Sequence, residues 1–570
     1  MAIRHLYIYL FLSITLVTCK SGQRLGYQSQ KSATSTQAMV VTAHPLASQI
    51  GLDIIRQGGN AVDAAIAVQY ALSVVFPVAG NIGGGGFMVV RMADGTTNTL
   101  DFREKAPGSA TRDMYLDAKG DVVPRLSIDG HLAAGVPGSV AGMTAAFEKY
   151  SQLKDLPTLL NPAIQLASNG FPITQQQADG LNKNREAFEK FNTSSTVFVK
   201  PNQWKVGDRL TQTDLAHTLE RIRDQGAAGF YEGETAAKIV AEMKAGGGII
   251  SLEDLKNYKA VWRQPLIGKY KEYDIISMSP PSSGGIALLQ LLEMVRPYPL
   301  QKMGFQSAET IHLMAEAERR VYADRATYLG DQDYVSVPIK KLLDKNYLKN
   351  RMIDFDPNRA SSSDQVGAGR ITPPIESEET THFCIVDNQG NAVSLTTTIN
   401  GAYGSRTVVS GAGFILNNEM DDFSAKPGVS NMFGLIGNEA NAIQPGKRML
   451  SSMTPTIVTK NNKVHLLVGT PGGSTIITSV FQTILNVIEF NKPVSEAVSL
   501  GRFHHQWKPD VIALDALIQL PDSVRNSLTQ KGHILKDRSN FGRVEAILKS
   551  ADGKWQGAAD VRGDDDARGF

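Results

Sequence analysis

Cysteine is almost absent: Cys19 and Cys384 are the two among 570 residues. Cys19 falls in a leader-like pattern, where removal or acylation would leave Cys384 without a partner, so disulfides are not expected to hold this fold. An excess of one charge is missing too. The formal net charge is +2 and no basic cluster is interleaved with aromatics, which removes the usual footprint of nucleic-acid binding. The ten histidines show no metal-ligand spacing, since His504 and His505 are adjacent and no His-Glu-x-x-His occurs. A Gly-x-Ser-x-Gly elbow is also lacking, so neither a metalloenzyme nor a conventional serine hydrolase is supported. Gly83 to Gly86 lacks the spacing of a dinucleotide fingerprint, and no Gly-Lys-Ser/Thr follows Gly469-Thr470-Pro471-Gly472-Gly473-Ser474. No cofactor is expected, and no internal repeat is visible.

What is present suits a large globular chain acting on a small molecule. The apolar share is 42%, ample for a core at this length. Arg4 and His5 precede an apolar run from Leu6 to Val17, too short for the roughly 20 residues that span a bilayer and fitted to a secretory signal. Export is the expectation, with residues 1–19 as signal, 20–37 as linker and a periplasmic location. Cys19 after Leu16-Val17-Thr18 resembles a bacterial lipoprotein cleavage box, although Thr18 is less usual there than a smaller residue. A lipid anchor at Cys19, a plain cleaved signal and an uncleaved anchor are the alternatives.

Apolar spacing predicts helices from Ala47 to Ala71 broken at Gly58-Gly59-Asn60, then at Val140 to Lys149, Leu159 to Ser168, Leu215 to Asp224, Thr235 to Met243 and Ser307 to Tyr328. Phe87 to Val90 and Tyr273 to Met278 read as strands, the second running into a turn-rich Pro280 to Gly285. After Thr380 the pattern gives strands at Thr381 to Val386, Ala392 to Ile399, Thr454 to Thr459 and Lys463 to Val468, then a helix from Thr475 to Phe490. Neither half covers its own sheet faces, so one interleaved core is expected rather than two separable domains.

The most informative segment is Thr380-Thr381-His382-Phe383-Cys384, answered by Thr396-Thr397-Thr398-Ile399-Asn400. The preceding run, Ser361 to Glu379, is polar enough to read as an exposed, mobile linker. A cut after Glu379 would make Thr380 a chain terminus, with a hydroxyl to attack and an α-amine of pKa about 8 to take its proton. An ordinary β-hairpin is the plainer interpretation, because threonine favours strands and Asp387-Asn388-Gln389-Gly390-Asn391 is good turn chemistry. A turn centred on Gln389 would set Thr398 directly opposite Thr380, whereas a two-residue turn would slip the register and send Thr398 to the other face.

Other segments are ambiguous by composition. Gly472 and Gly473, between a predicted strand and helix, could cradle an oxyanion or form a plain turn. Asn417 to Phe423 could bind an ammonium group, but by itself reads as a solvated turn, and it lacks the alternate ligands of a calcium loop. Ser451 to Pro455 and Leu100 to Lys105 could each bind a carboxylate, with a surface role as the default for both. Cys384, sharing a strand face with His382 and Val386, suits a core role better than nucleophilic chemistry.

Together these segments resemble the γ-glutamyltransferase (glutathione hydrolase) family of N-terminal nucleophile hydrolases, from about Ala38 to the C-terminus. The resemblance is carried by Thr380-Thr381-His382 through Asn400 to Tyr403-Gly404, by Asn417 to Ser424, Pro445 to Pro455, Pro471-Gly472-Gly473 and Arg502 to His505, and by Gly58 to Ala64 with the Arg103 segment. It implies an α+β fold, a four-layer αββα sandwich formed jointly by two autoprocessed chains, 38–379 and 380–570, cut between Glu379 and Thr380. It further implies Thr380 as nucleophile with Thr398 in hydrogen-bond reach, and the amides of Gly472 and Gly473 on the oxyanion. Arg103, Ser451 and Ser452 would hold the α-carboxylate of a γ-glutamyl group, and Asn400, Glu419 and Asp422 its α-ammonium. The implied substrates are glutathione and related compounds, with the acyl group passing to water or to an amino acid or peptide.

Two positions depart from the family pattern: Cys384, where serine or threonine is preferred, and Phe433, where many bacterial relatives have a lid tyrosine. Without that tyrosine's hydroxyl the lid is expected to be looser and hydrolysis to gain on transfer. Rival interpretations are an acylase of the same superfamily acting on glutaryl groups, against which Glu419 and Asp422 argue, and an exported binding lipoprotein keeping a dead enzyme fold.

Overall fold

A computed structural model describes residues 25–369, 381–426, 429, 432 and 439–570. Its backbone builds two seven-stranded antiparallel sheets stacked face to face. One runs in the order Ser32–Ser35, Trp555–Ala559, Glu545–Lys549, Lys463–Gly469, Thr456–Lys460, Tyr273–Ser277, Leu266–Tyr270. The other runs Asp566–Gly569, Met39–Thr42, Thr381–Val386, Ala392–Thr398, Gly85–Arg91, Thr97–Asp101, Val261–Arg263. Both sheets mix strands from before and after position 380, so the core is interleaved as its composition suggested.

Period-two alternation sorts the side chains of each strand between two layers. In Thr381–Val386, Phe383 and Ile385 point to the helices, while Cys384 and Val386 join Val41, Ile457, Leu467 and Ile547 between the sheets. Helices Pro45–Arg56 and Ala61–Val75 cover the outer face of the sheet containing Thr381–Val386. Helices Gly284–Val295, Ala308–Tyr328 and Thr475–Ile488 cover the other sheet, which completes four αββα layers.

Local chemistry sets these elements. Ala61–Val75 is buried at every position and starts from a capping box, in which Asn60 Oδ1 accepts from the amides of Val62 (2.9 Å) and Asp63 (3.0 Å) and Asp63 returns a carboxylate to the Asn60 amide. Gly284–Val295 is the longest of the helices the sequence pattern missed: all but Glu293 are buried, and a helix apolar all round shows no 3.6-residue period. Among the described residues no helix is long and apolar enough to cross a membrane. The leader and Cys19 lie outside the described residues.

The expected exposed linker needs correction over its first part. The Ser361 amide donates to Glu316 Oε1 (3.0 Å), Ser363 is buried with its amide on Asp510 Oδ2 (2.7 Å), and Trp507 Nε1 reaches the carbonyls of Ser363 and Val366. A polar composition packs where the charged and aromatic groups around it supply its hydrogen-bond partners. Residues 370–379, Thr380 and Phe433 lie outside the described residues.

Candidate active site

The hairpin register fixes what stands beside what. Thr381 pairs with Thr397 and Val386 with Ala392, which is the register of a turn centred on Gln389. Thr398 ends its strand opposite Gly85, and glycine is required on that side. A Cβ on Gly85 would lie 2.5 Å from the Phe102 carbonyl oxygen, and one on Gly84 would fall on the Thr398 carbonyl oxygen.

Thr398 Oγ1 donates to Glu419 Oε1 (2.7 Å) and accepts from the Asn400 amide (2.7 Å). Asn400 sits at φ 66°, a left-handed conformation asparagine tolerates. Its Nδ2 donates to the Asn418 carbonyl (2.9 Å), while Oδ1 is buried and accepts no hydrogen bond from any described residue. Asn417 holds the next turn in place: its Oδ1 accepts from the amides of Gly135 (2.8 Å) and Glu419 (3.0 Å), and its Nδ2 donates to Gly83 O (2.9 Å). Glu419–Asp422 is a buried 3-10 turn, which corrects the composition-only expectation of a solvated loop.

Arg103 is 1% exposed, not a surface group. Its Nη1 lies 2.6 Å from Glu419 Oε2 and 3.4 Å from Glu104 Oε2, and its Nη2 pairs with Asp422. Nε and Nη2 also donate to the carbonyls of Met449 (3.3 Å) and Leu450 (3.2 Å), just before Ser451. One guanidinium thus faces three buried carboxylates. Burial first, then the neighbouring carboxylates, pushes Glu104 up to about 8 against the pull of Arg103, and the same causes hold Glu419 well above the ordinary carboxylate range. Ser451 Oγ accepts from the Met453 amide (3.2 Å), and the buried Ser452 hydroxyl meets Arg325, reaching in from the helix Ala308–Tyr328.

Gly472 and Gly473, at φ 132° and 66°, precede the helix Thr475–Ile488. Gly472 lines a cavity of about 420 Å³ together with Thr381, Asn400, Phe76 and Phe541. None of Arg103, Glu419, Asp422, Ser451 and Ser452 lines that cavity. The buried charged cluster and the open cleft therefore meet at the Thr381 and Asn400 end of the hairpin.

A family model described as Gamma-glutamyltranspeptidase matches residues 47–570. The chain belongs to that family. The glutathione hydrolase proenzyme of Escherichia coli K12 is 45% identical over 93% of this chain and 91% of its own length. Helicobacter pylori γ-glutamyltranspeptidase superposes with TM-score 0.57 at 50% identity, over 57% of this chain and 94% of that chain. A cephalosporin acylase from Bacillus halodurans superposes with TM-score 0.84 at 27% identity, over 97% of this chain and 99% of that one. The αββα sandwich is accordingly the N-terminal nucleophile hydrolase fold of γ-glutamyltranspeptidases.

Of the expected site residues, Arg103, Thr398, Asn400, Glu419 and Asp422 converge on one network, with Ser451 and Ser452 next to the carbonyls that Arg103 holds. Gly472 lines the cleft, and Gly473 follows it in the turn before the helix Thr475–Ile488. Glu379 and Thr380 lie outside the described residues. Sequence reasoning missed Arg325, and it singled out the segments that contain Glu104 and Asn418 without giving either residue a role. Cys384 has a hydrogen-bonding neighbour, His382 Nε2 at 3.2 Å. Burial holds that imidazole down to about 3 and pushes the thiol up, so both stay neutral and the pair is packing.

Proposed function

We propose that this chain is an autoprocessing γ-glutamyl hydrolase/transferase acting on glutathione and related compounds. The observation that carries the substrate class is the buried cluster in which Arg103 faces Glu419 and Asp422 while Glu419 is joined to Thr398. A γ-glutamyl head carries one carboxylate and one ammonium. Entering this cluster, the carboxylate takes Arg103 with Ser451 and Ser452, and the ammonium takes Glu419, Asp422 and the unpartnered Asn400 Oδ1. Opposite charges change partners without leaving a charge uncompensated. Ordinary peptides lack this free amino-acid head beside the scissile amide, so a site built for it rejects them.

Processing begins with attack of the Thr380 hydroxyl on the Glu379 carbonyl. The C–N bond gives way to an ester, water cleaves the ester, and the freed α-amine of Thr380 becomes the base. In turnover the Thr380 oxygen attacks the γ-carbonyl of the substrate and its proton moves to that amine. Gly472 and Gly473 offer amides to the oxyanion. The tetrahedral intermediate collapses as the proton passes to the departing amine, and the γ-glutamyl ester goes to water or to an amino acid or peptide. Thr398, oriented by Glu419 and the Asn400 amide, is the positioning hydroxyl for Thr380. The leader supports export to the periplasm, with Cys19 as the site of a lipid anchor.

Mass analysis of the purified protein tests this directly. Wild type should give two chains, one starting at Thr380, and Thr380→Ala a single uncut chain inactive on γ-glutamyl anilide. A continuous wild-type chain that still cleaves the anilide would refute the mechanism. The cephalosporin acylase likeness makes glutaryl compounds the second substrate class to assay, and cleavage of glutaryl anilide at rates matching the γ-glutamyl compound would refute the ammonium subsite.

A further inference from the structure

The cleft outside the buried head-group cluster has a charge of its own to place. Three arginines line it with Gly472, Thr381 and Asn400: Arg538, Arg543 and Arg562. Two are committed. Arg543 forks onto Asp565 through Nε (3.1 Å) and Nη2 (2.7 Å), and Arg562 onto Asp515 (2.8 Å) and Asp560 (2.9 Å). Arg538 is exposed, and its guanidinium pairs with no carboxylate among the described residues. It lies over the Phe541 ring, 5.7 Å from the centroid, and its backbone amide is tied to the Leu514 carbonyl (2.9 Å). An aromatic face supports a guanidinium while leaving its N–H edge open to a carboxylate.

We propose that Arg538 is the specificity residue for the far side of the scissile bond, binding the carboxylate of the departing amine or of an incoming acceptor. This rests on the γ-glutamyl reading above. The head group is consumed by the cluster around Arg103, none of whose charged members lines the cleft, so what lies beyond the amide must occupy the cavity of about 420 Å³. That volume falls in the range of about 300–1,000 Å³ usual for small-ligand sites. A departing dipeptide ends in a carboxylate, and Arg538 is the cation lining the cleft that no carboxylate among the described residues neutralises. The leaving dipeptide and the acceptor amino acid present the same group there, the first before the ester forms and the second after it.

The test compares glutathione with its glycine ethyl ester on the autoprocessed wild-type enzyme, and glycylglycine with glycylglycine amide as acceptors, then repeats both on Arg538→Ala and Arg538→Lys. For the wild type, KM should be lower for the acid than for the ester by about two- to tenfold, the modest size expected of an exposed charge pair, and the difference should shrink at high salt. Arg538→Ala should abolish the difference by raising KM for the acid while kcat stays within about twofold, and Arg538→Lys should keep part of it. A discrimination in only the donor or only the acceptor arm would assign Arg538 to that partner. Equal handling of acid and ester by wild type, or discrimination undiminished in Arg538→Ala, would overturn the assignment while leaving the γ-glutamyl reading intact. Wild-type protein that cleaves neither compound would overturn both.

Discussion

Arg103 sits with three carboxylates in a space closed to water, and the cluster cannot be indifferent to pH. Glu104 is pushed up to about 8 from an ordinary 4.5, chiefly by burial. Between those values the folded protein holds a proton that the unfolded chain has released. The stabilisation is complete below the unfolded value and is lost as pH rises through about 8. In the uncut Thr380→Ala protein, Glu104→Gln should therefore flatten the fall of Tm between pH 5 and 8.5, by on the order of 1–2 °C, read by calorimetry. Parallel Tm curves would count against the shift. Much of this residue scale was invisible in composition. Arg103 and Asp422 are 319 positions apart, and each alone looks like a surface charge. It was the family resemblance, not the pattern, that named them, and Arg325, reaching Ser452 across 127 positions, had no local signal to be found by.

At the scale of elements, the glycine run Gly83 to Gly86 does its work by absence. A methyl on Gly84 would occupy the Thr398 carbonyl oxygen, so Gly84→Ala must push the Thr398 strand end away from Glu419. Overpacking of this kind costs about 1–3 kcal/mol. Beyond lowering Tm, it should reduce kcat/KM on γ-glutamyl anilide by about tenfold or more, as misplacement near reacting groups does. Gly367→Ala, with open space around its Cβ, is the control. Normal processing and kinetics in Gly84→Ala would refute the placement. Here the sequence was more legible. Sequence pattern located both strands of the hairpin to within a residue, while turn chemistry around Gln389 left two registers open, of which the structure has the one centred on Gln389. Gly284–Val295 escaped because a helix buried on every side has no polar face to betray its period. The strands Glu545–Lys549, Trp555–Ala559 and Asp566–Gly569 were not read at all, being short and interrupted by turn residues.

Across the whole molecule, the order of strands decides what can exist alone. Met39–Thr42 lies between Asp566–Gly569 and Thr381–Val386, and Tyr273–Ser277 pairs with Thr456–Lys460. Residues 25–379 and 380–570 expressed separately should each leave open sheet edges and uncovered faces. Neither should show a cooperative thermal transition, and both should aggregate. A soluble, cooperatively melting fragment from either side would refute this interleaving as a condition of folding. That the two halves need one another was readable from the distribution of apolar helices and strands, whereas which strands neighbour which was not, because pairing across hundreds of residues leaves no local pattern.

The shared sheets also change the meaning of the cut. Two chains released from one precursor are born already paired, each threaded through the other's hydrogen-bond ladder. Their association has no encounter step, and while the fold persists it is held by the barrier to unfolding rather than by protein concentration. Activity per molecule should then be the same at nanomolar and micromolar protein, and the partnership should end only with global unfolding, at the rate at which the sheets themselves come apart.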